Sequence, residues 1–279
     1  MRSTLARTVF VLSFVVPAVA MAAPKRTETK KGSPGACGAK ILPLVAGNSW
    51  TYVSVPAPTA APPEIIRISP PTPKSFVITV KSVEEKGGDT VVTLEEKLTY
   101  ELKDPKKPTD ERLVTSTITC SGNGKKIDIS PDSFFFAAEP GGYLGLTLTK
   151  LDRKGTSLQL TGGTVGDNPW REDLIATWTE TPGQGIAAKL GSGKLELERQ
   201  FTPQVPESVS TKQGSYVAEK IAVTTTGRVT LEGARSAGFK PQELPGNWTN
   251  LLWLVDGVGV VQTLNSYAHM YQLSEATLK

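Results

Sequence analysis

Reactive side chains are few, and their spacing limits the chemistry open to them. The chain of 279 residues holds one histidine, His269, and two cysteines, Cys37 and Cys120. A Ser, Thr or Cys nucleophile needs a base held against it, so any such triad would have to use His269. G-x-S-x-G and S-x-x-K do not occur. His269 falls in the alternating run Tyr267-Ala268-His269-Met270-Tyr271, which reads as a strand. One histidine and two distant cysteines make a poor zinc set.

Carboxylates are more plentiful, in Glu84-Glu85, Glu95-Glu96, Glu172-Asp173, and Glu196 with Glu198. A glycosidase needs two of them facing across a cleft. Adjacent strand residues point to opposite faces, so the first three pairs fail locally. Glu196 and Glu198 share a face, which solvent exposure explains. Gly183-Gln184-Gly185-Ile186-Ala187-Ala188 fits a dinucleotide fingerprint in letters. That fingerprint works only between a parallel strand and a helix, and here a strand follows. Gly191-Ser192-Gly193-Lys194 lacks the first glycine and the final Ser or Thr of a P-loop. Acidic D-x-D-x-D-G calcium loops are missing. Asn247-Trp248-Thr249 has the form of a glycosylation acceptor and carries little weight beside a bacterial-style signal. The residues therefore point to no enzyme, no cofactor and no metal.

The elements that would position these groups are strands. Phe76 to Val80 is rich in β-branched and aromatic residues, Gly87-Gly88-Asp89 turns, and Thr90 to Leu94 returns. Leu98, Tyr100 and Leu102 alternate with polar residues, and Leu113 to Cys120 alternates again before a turn at Ser121-Gly122-Asn123-Gly124. The first half thus reads as an antiparallel meander. Further strands fall at 174–179, 195–201, 253–255, 258–264 and 267–273, with a hairpin expected around Gly227. Only 236–244 and the last six residues look capable of a helical turn. The fold class is mainly β: a curved antiparallel sheet, open or half-barrel-like, with few short helices. Residues 56–73 hold seven prolines, which bars a central strand and implies an extended loop.

The amino terminus reads as an export signal. Arg2 and Arg7 precede an apolar stretch from Thr8 to Ala20, and Ala20-Met21-Ala22 is an A-x-A cleavage site. Residues 1–22 are the expected signal peptide, with the mature chain starting at Ala23. Residues 23–36 form a polar leader, and 37–279 a single domain. The apolar stretch is too short to span a bilayer, and no later run reaches that length. Cys37 lies too far downstream to be a lipid-anchoring cysteine. The expected location is periplasmic or extracellular.

Two cysteines in an oxidising compartment suggest a Cys37–Cys120 disulfide, with a pair of buried thiols as the alternative. Residues 1–22 carry two Arg and no acid, so without them Lys+Arg falls from 31 to 29 against 27 acids. That balance gives no footprint for nucleic acid.

Large apolar residues cluster near loop signals: Phe134, Phe135 and Phe136, then Trp248, Leu251, Leu252 and Trp253. Core closure at sheet ends is one reading. The other is a lined cavity for an apolar or lipid ligand, with Phe134, Phe135, Phe136, Trp248 and Trp253 as its rim.

Leu42-Pro43-Leu44-x-x-Gly47-Asn48-x-Trp50-x-Tyr52 resembles the opening of a group of uncharacterised exported bacterial mainly-β proteins. Gly214 to Ile221 and the closing Gly257-Val258-Gly259-Val260-Val261 match that group in the same order. The resemblance covers 41–53 and 214–264. It implies an open, strongly curved sheet, similar to the half-barrel of periplasmic lipoprotein carriers, and it implies no catalytic residues.

Three functions stay open on these grounds. The first is a non-catalytic envelope carrier or binding module for an apolar ligand. The second is a structural or interaction protein of the envelope with a self-filled core, partnered by another envelope protein. The third is a hydrolase whose carboxylates the fold brings together. An empty apolar cavity favours the first, a solid core the second, and convergent carboxylates in a polar cleft the third.

Overall fold

The computed structural model describes residues 35, 37–58, 72–102, 106, 108–130, 133, 147–179, 192–232, 242–243, 248–265 and 268–279. The expected signal peptide, nearly all of the leader, most of the proline-rich loop and Phe134 to Phe136 lie outside them.

The strands are β1 (Ser49–Val55), β2 (Ser75–Lys86), β3 (Asp89–Glu101), β4 (Thr109–Ser121), β5 (Lys126–Ile129), β6 (Thr147–Gly155), β7 (Leu158–Thr161) and β8 (Thr164–Val165), followed by β9 (Trp170–Thr179), β10 (Ser192–Thr211), β11 (Gly214–Glu232), β12 (Gln242–Glu243), β13 (Trp248–Val255), β14 (Gly259–Leu264) and β15 (Met270–Thr277). They build one antiparallel sheet in the order β6-β9-β10-β11-β13-β14-β15-β1-β2-β3-β4-β5-β7-β8, with β12 on the side of β11. The last strand pairs with the first, Ala276 opposite Trp50, so β1 joins the two halves of the chain. The ladder does not close, and the described residues contain no helix.

The meander of β1 to β5 follows the alternation read from the sequence. Phe76, Ile78 and Val80 are buried on β2, and Val92, Leu94, Leu98 and Tyr100 on β3, with the residues between them turned outward. Gly87 and Gly88 both have positive φ at the β2–β3 turn, a conformation glycine adopts without strain.

Three local expectations need correction. Gly227 is not a turn: β11 runs straight through it, with Gly227 opposite Leu197 in the ladder. The hairpin turns at Lys212 and Gln213 instead, where the Gln213 N–H donates to Thr211 Oγ1. Two prolines hid the length of β10. Both lie beyond Phe201, the last residue paired to β9, where a missing N–H is tolerated: Pro203 stands opposite Ile221, and Pro206 sits in the bulge between Gln204 and Glu207. The last six residues form no helical turn. Ladder pairing with β1 carries β15 to Thr277. His269 lies just before β15 rather than within a strand, in a turn where its N–H donates to Asn265 Oδ1.

The sheet curls until its ends meet. β6 is one end of the strand order and β7 lies next to the other, yet only Thr156 and Ser157 separate them in the chain. Thr156 Oγ1 donates to the Ile127 carbonyl, and the Ile129 N–H donates to Ser157 Oγ. Side chains and a two-residue link thus stitch the seam that the ladder leaves open.

The β10–β11 hairpin folds over the outer face of β13 to β15. Val209 and Ala218 near its tip are buried, and Gln213 Nε2 reaches the Ser274 carbonyl. This second layer explains β14, where Gly259 through Thr263 are all buried. A strand covered on both faces loses its alternation.

Candidate functional site

The concave face is the place where a ligand could sit, and over β1 to β4 residues 37–44 occupy it. Trp50 and Tyr52 of β1, Ile78 of β2, Leu94 of β3 and Ile118 of β4 form the wall, with Phe76 stacked on Tyr52 at 5.0 Å and edge-on to Tyr271 at 5.0 Å. Ile41, Leu42 and Leu44 fill the space before them, Ile41 with no exposed surface. The void left between the two is about 10 Å³, lined by Leu42, Leu44, Trp50, Tyr52, Ile78 and neighbours. That is at most the room of one water, in a place with no polar partner to hold it.

Several contacts fix this segment. Cys37 and Cys120 form a disulfide with Cα atoms 5.6 Å apart. Gly124, at φ +77°, lies directly under the Cys37 carbonyl, where any Cβ would collide. The Lys40 N–H donates to the Gly163 carbonyl at 2.9 Å, and the Gly257 N–H donates to the Lys40 carbonyl at 2.6 Å. At the other end Asn48 is fully buried. Its Nδ2 donates to the Pro43 carbonyl, and its Oδ1 accepts from the Lys279 N–H. Trp50 Nε1 donates to the Val258 carbonyl and Tyr52 Oη to the Val260 carbonyl. Burial pushes the Tyr52 hydroxyl well above its ordinary pKa, so it stays a donor. The opening motif and the closing Gly-Val-Gly motif are therefore two halves of one contact.

The seam holds the most polar cluster of the interior. Glu172 on β9 has no exposed surface. It accepts from Arg199 Nη1 at 3.0 Å and from Ser157 Oγ at 2.9 Å, and pairs with Arg153 Nε at 3.1 Å. Arg153 also lies 3.3 Å from Asp128 Oδ1. Two arginines and two carboxylates balance in charge. Buried ions are tolerated only when paired in this way.

The residues singled out from the sequence part company here. Cys37 and Cys120 meet. Phe134, Phe135 and Phe136 lie outside the described residues, and of Trp248 only the strand position is described, at the start of β13. Trp253 is buried away from the concave wall, on the outer face. It sits in the cross-strand row Lys220, Trp253, Gln262, Gln272, under the hairpin. Its Nε1 donates to Glu207 Oε2 at 3.2 Å, and Lys220 Nζ lies 5.1 Å from the ring centre. The hydrogen bonds from Lys220 and Trp253 lower the Glu207 pKa.

The carboxylate pairs separate as strand geometry requires. Glu96 is buried and accepts from Ser116 Oγ, while Glu95 faces out and pairs with Lys81. Glu196 and Glu198 do share a face and, with Asp173, line an open outer groove, where Lys194 pairs with Glu196 and Arg171 with both Asp173 and Glu198. His269 contacts the Thr72 hydroxyl at 2.9 Å, and burial lowers its pKa. Among the described residues no group of three His, Cys, Asp or Glu is placed to hold a metal ion. Glu172 enters the sequence reading only as half of the Glu172-Asp173 pair; the signal of its burial is its place on the same strand face as Leu174 and Ala176, both buried.

No family model matches the chain, and no curated protein matches it. Two crystal structures resemble it in shape. One is of a "putative lipoprotein" from Parabacteroides distasonis, 12% identical, with a TM-score of 0.43 over 85% of this chain and 98% of that one. The other is of a "putative exported protein with YmcC-like fold" from Bacteroides fragilis, 12% identical, with a TM-score of 0.42 over 84% of this chain and 96% of that one. Likenesses at this level carry no argument about the role of this chain.

Proposed function

We propose that this chain is an exported, non-catalytic protein of a bacterial cell envelope that acts through its surface, as a structural or interaction protein for another envelope protein. One observation carries the reading: where the concave face is made by β1 to β4, residues 37–44 pack against it with a void of only about 10 Å³ between them and the wall, where a carrier in its receptive state needs room for a ligand. Export is supported by the A-x-A signal pattern and by a disulfide of the kind oxidising compartments permit. The absence of catalysis is supported by how the reactive groups are engaged. His269 sits against a threonine, and Glu196 and Glu198 are tied to cations.

A carrier for an apolar ligand is the second reading, favoured by the apolar wall behind residues 37–44. Native mass spectrometry of protein taken from its own envelope separates the two. A bare polypeptide mass beginning at Ala23, with no saturable binding of a fluorescent fatty acid, supports the first. A retained lipid on the wild-type chain overturns it.

A further inference from the structure

β4 reaches well past the strand on its far side. β3 pairs with it from Thr109 to Cys120 without a register shift, whereas β5 pairs only with Ile118 to Ser121. The Pro108 carbonyl accepts from the Leu102 N–H, just past the end of β3, and the Thr117 carbonyl accepts from the Ser130 N–H on the other side. Alternate residues of a strand bond to opposite neighbours. Thr109, Glu111, Leu113 and Thr115 therefore aim their N–H and C=O groups away from β3. Among the described residues no strand pairs with them there. Leu113, at the middle of this edge, is 63% exposed. Free edges are commonly blunted by lysine, proline or a bulge, and other edges of this sheet are. β6 carries Lys150 and Lys154 and a register shift after Leu148. β10 beyond Phe201 carries Pro203, Pro206 and a bulge, and β2 has a bulge at Lys81, just where β1 stops pairing with it. Residues 109–116 have none of these devices.

We infer that this edge of β4 is a docking site for an extended segment of a partner protein, which adds to the sheet as a further strand. The inference rests on the reading of this chain as an interaction protein and supplies the partner's chemistry. Main-chain groups on alternate residues give an added strand its grip. The charges along the edge are already matched, Glu111 with Lys97 at 2.8 Å and Arg112 with Asp110 at 3.6 Å, and Arg112 also lies over the Tyr100 ring. The segment that fits is therefore uncharged, with a β-branched side chain beside Leu113. It is also short, because Ser130 closes the lane at Thr117. A second copy of this chain does not fit. Two-fold antiparallel pairing centred on Asp110, Glu111 or Arg112 sets that charge against its own copy. Centred on Leu113 or Val114, it brings Thr109 or Glu111 of the copy opposite Thr117, where Ser130 already sits.

The test uses the full exported chain with its disulfide intact. The probe is an end-capped octapeptide of alternating valine and serine, and amide hydrogen exchange is read residue by residue by NMR. In the free protein Thr109, Glu111, Leu113 and Thr115 are expected to exchange fast, and Arg112, Val114 and Ser116, which bond to β3, slowly. Saturating peptide is expected to slow the first four at least about tenfold and to leave the rest of the sheet unchanged. Leu113→Pro removes one outward N–H and no ladder bond. It is expected to keep strand circular dichroism and cooperative unfolding and to lose the peptide's protection. Leu113→Lys leaves the backbone intact and is expected to weaken binding too, so it decides the matter if the proline variant does not fold. Slow exchange at all four positions in the free protein overturns the proposal, because the chain then covers its own edge. So does fast exchange that the peptide leaves unchanged, or protection that survives both substitutions. Protection that appears on concentrating the protein alone, with a dimer mass, overturns it in favour of a second copy. None of these results bears on the proposed function, which a retained lipid overturns.

Discussion

The indole N–H of Trp50 donates to the carbonyl of Val258 at 2.6 Å, joining positions 208 residues apart. Gly259 lies beneath the same ring at φ +105°, and a Cβ there would stand 3.1 Å from Trp50 Nε1. Tyr52 repeats the bond one step along, to Val260 at 2.7 Å. β1 is therefore fixed to β14 by side chains although β15 lies between them in the ladder.

Trp50→Phe keeps an aromatic side chain but removes the donor and one of the two fused rings, leaving the Val258 carbonyl without its partner and a space beside Gly259. The expected cost is about 1–3 kcal/mol. Gly259→Ala should also destabilise, through its left-handed φ and the close indole. Because both changes act on one contact, the double variant should cost less than the sum of the singles. Urea unfolding of the four proteins checks this, and strict additivity would remove the coupling.

Much of this was legible in advance and some was not. The meander is legible because β2 is rich in β-branched and aromatic residues and β3 buries one face only, so Leu94, Leu98 and Tyr100 alternate with Glu95, Thr99 and Glu101. The strand at 258–264 is legible as well, but the layer that covers it is not, because a strand buried on both sides has no alternation to say what lies on either face. Gly227 mimicked a turn because local propensity carries no record of Leu197 across the ladder. Trp253 was noticed for its size, which says nothing about which face of β13 it occupies. The disulfide follows from counting two cysteines in a chain that opens on an export-signal pattern. The role of Glu172 is not legible in the sequence because its partners, Arg153 and Arg199, come from other strands.

The seam cluster makes a sharp contrast between two glutamates. Glu172→Gln leaves Arg153 and Arg199 facing each other in the interior without their shared anion. A loss of about 3–5 kcal/mol is expected, as for one partner removed from a buried pair. Glu198→Gln breaks only the exposed pair with Arg171 and should shift the unfolding midpoint little. Equal effects in denaturant titrations would refute the assignment of the seam to Glu172.

The Cys37–Cys120 bond closes a separation of 83 residues. In the chain-entropy picture this is worth about 4–5 kcal/mol before strain. Non-reducing peptide maps should contain the linked pair, and Cys120→Ala should cost about 2–5 kcal/mol. Two alkylatable thiols in the native protein would contradict it.

Glu219 on β11 gives the pH dependence a direction. Burial raises its carboxyl above the ordinary 4.5, and the charges of Asp256, in the β13–β14 turn, and Asp167, before β9, raise it further. The folded state thus holds this proton to higher pH than the unfolded state does. Its favourable contribution is complete below about pH 4.5 and is lost as pH rises through the folded value. At higher pH the charge on Glu219 opposes folding. Glu219→Gln, which keeps the shape and removes the charge, should therefore raise the unfolding midpoint at pH 7 and leave it nearly unchanged at pH 4. His269 acts with the opposite sign. Burial lowers its pKa below 6.5, so the unfolded chain takes the proton first and stability falls as pH drops below that value. The Glu219→Gln gain should accordingly survive in a His269→Gln background, while the loss of stability just below pH 6.5 should shrink there. Urea midpoints of the single and double variants between pH 4 and 7.5 measure both effects. A Glu219→Gln gain of the same size at pH 4 as at pH 7 would trace it to packing rather than to charge.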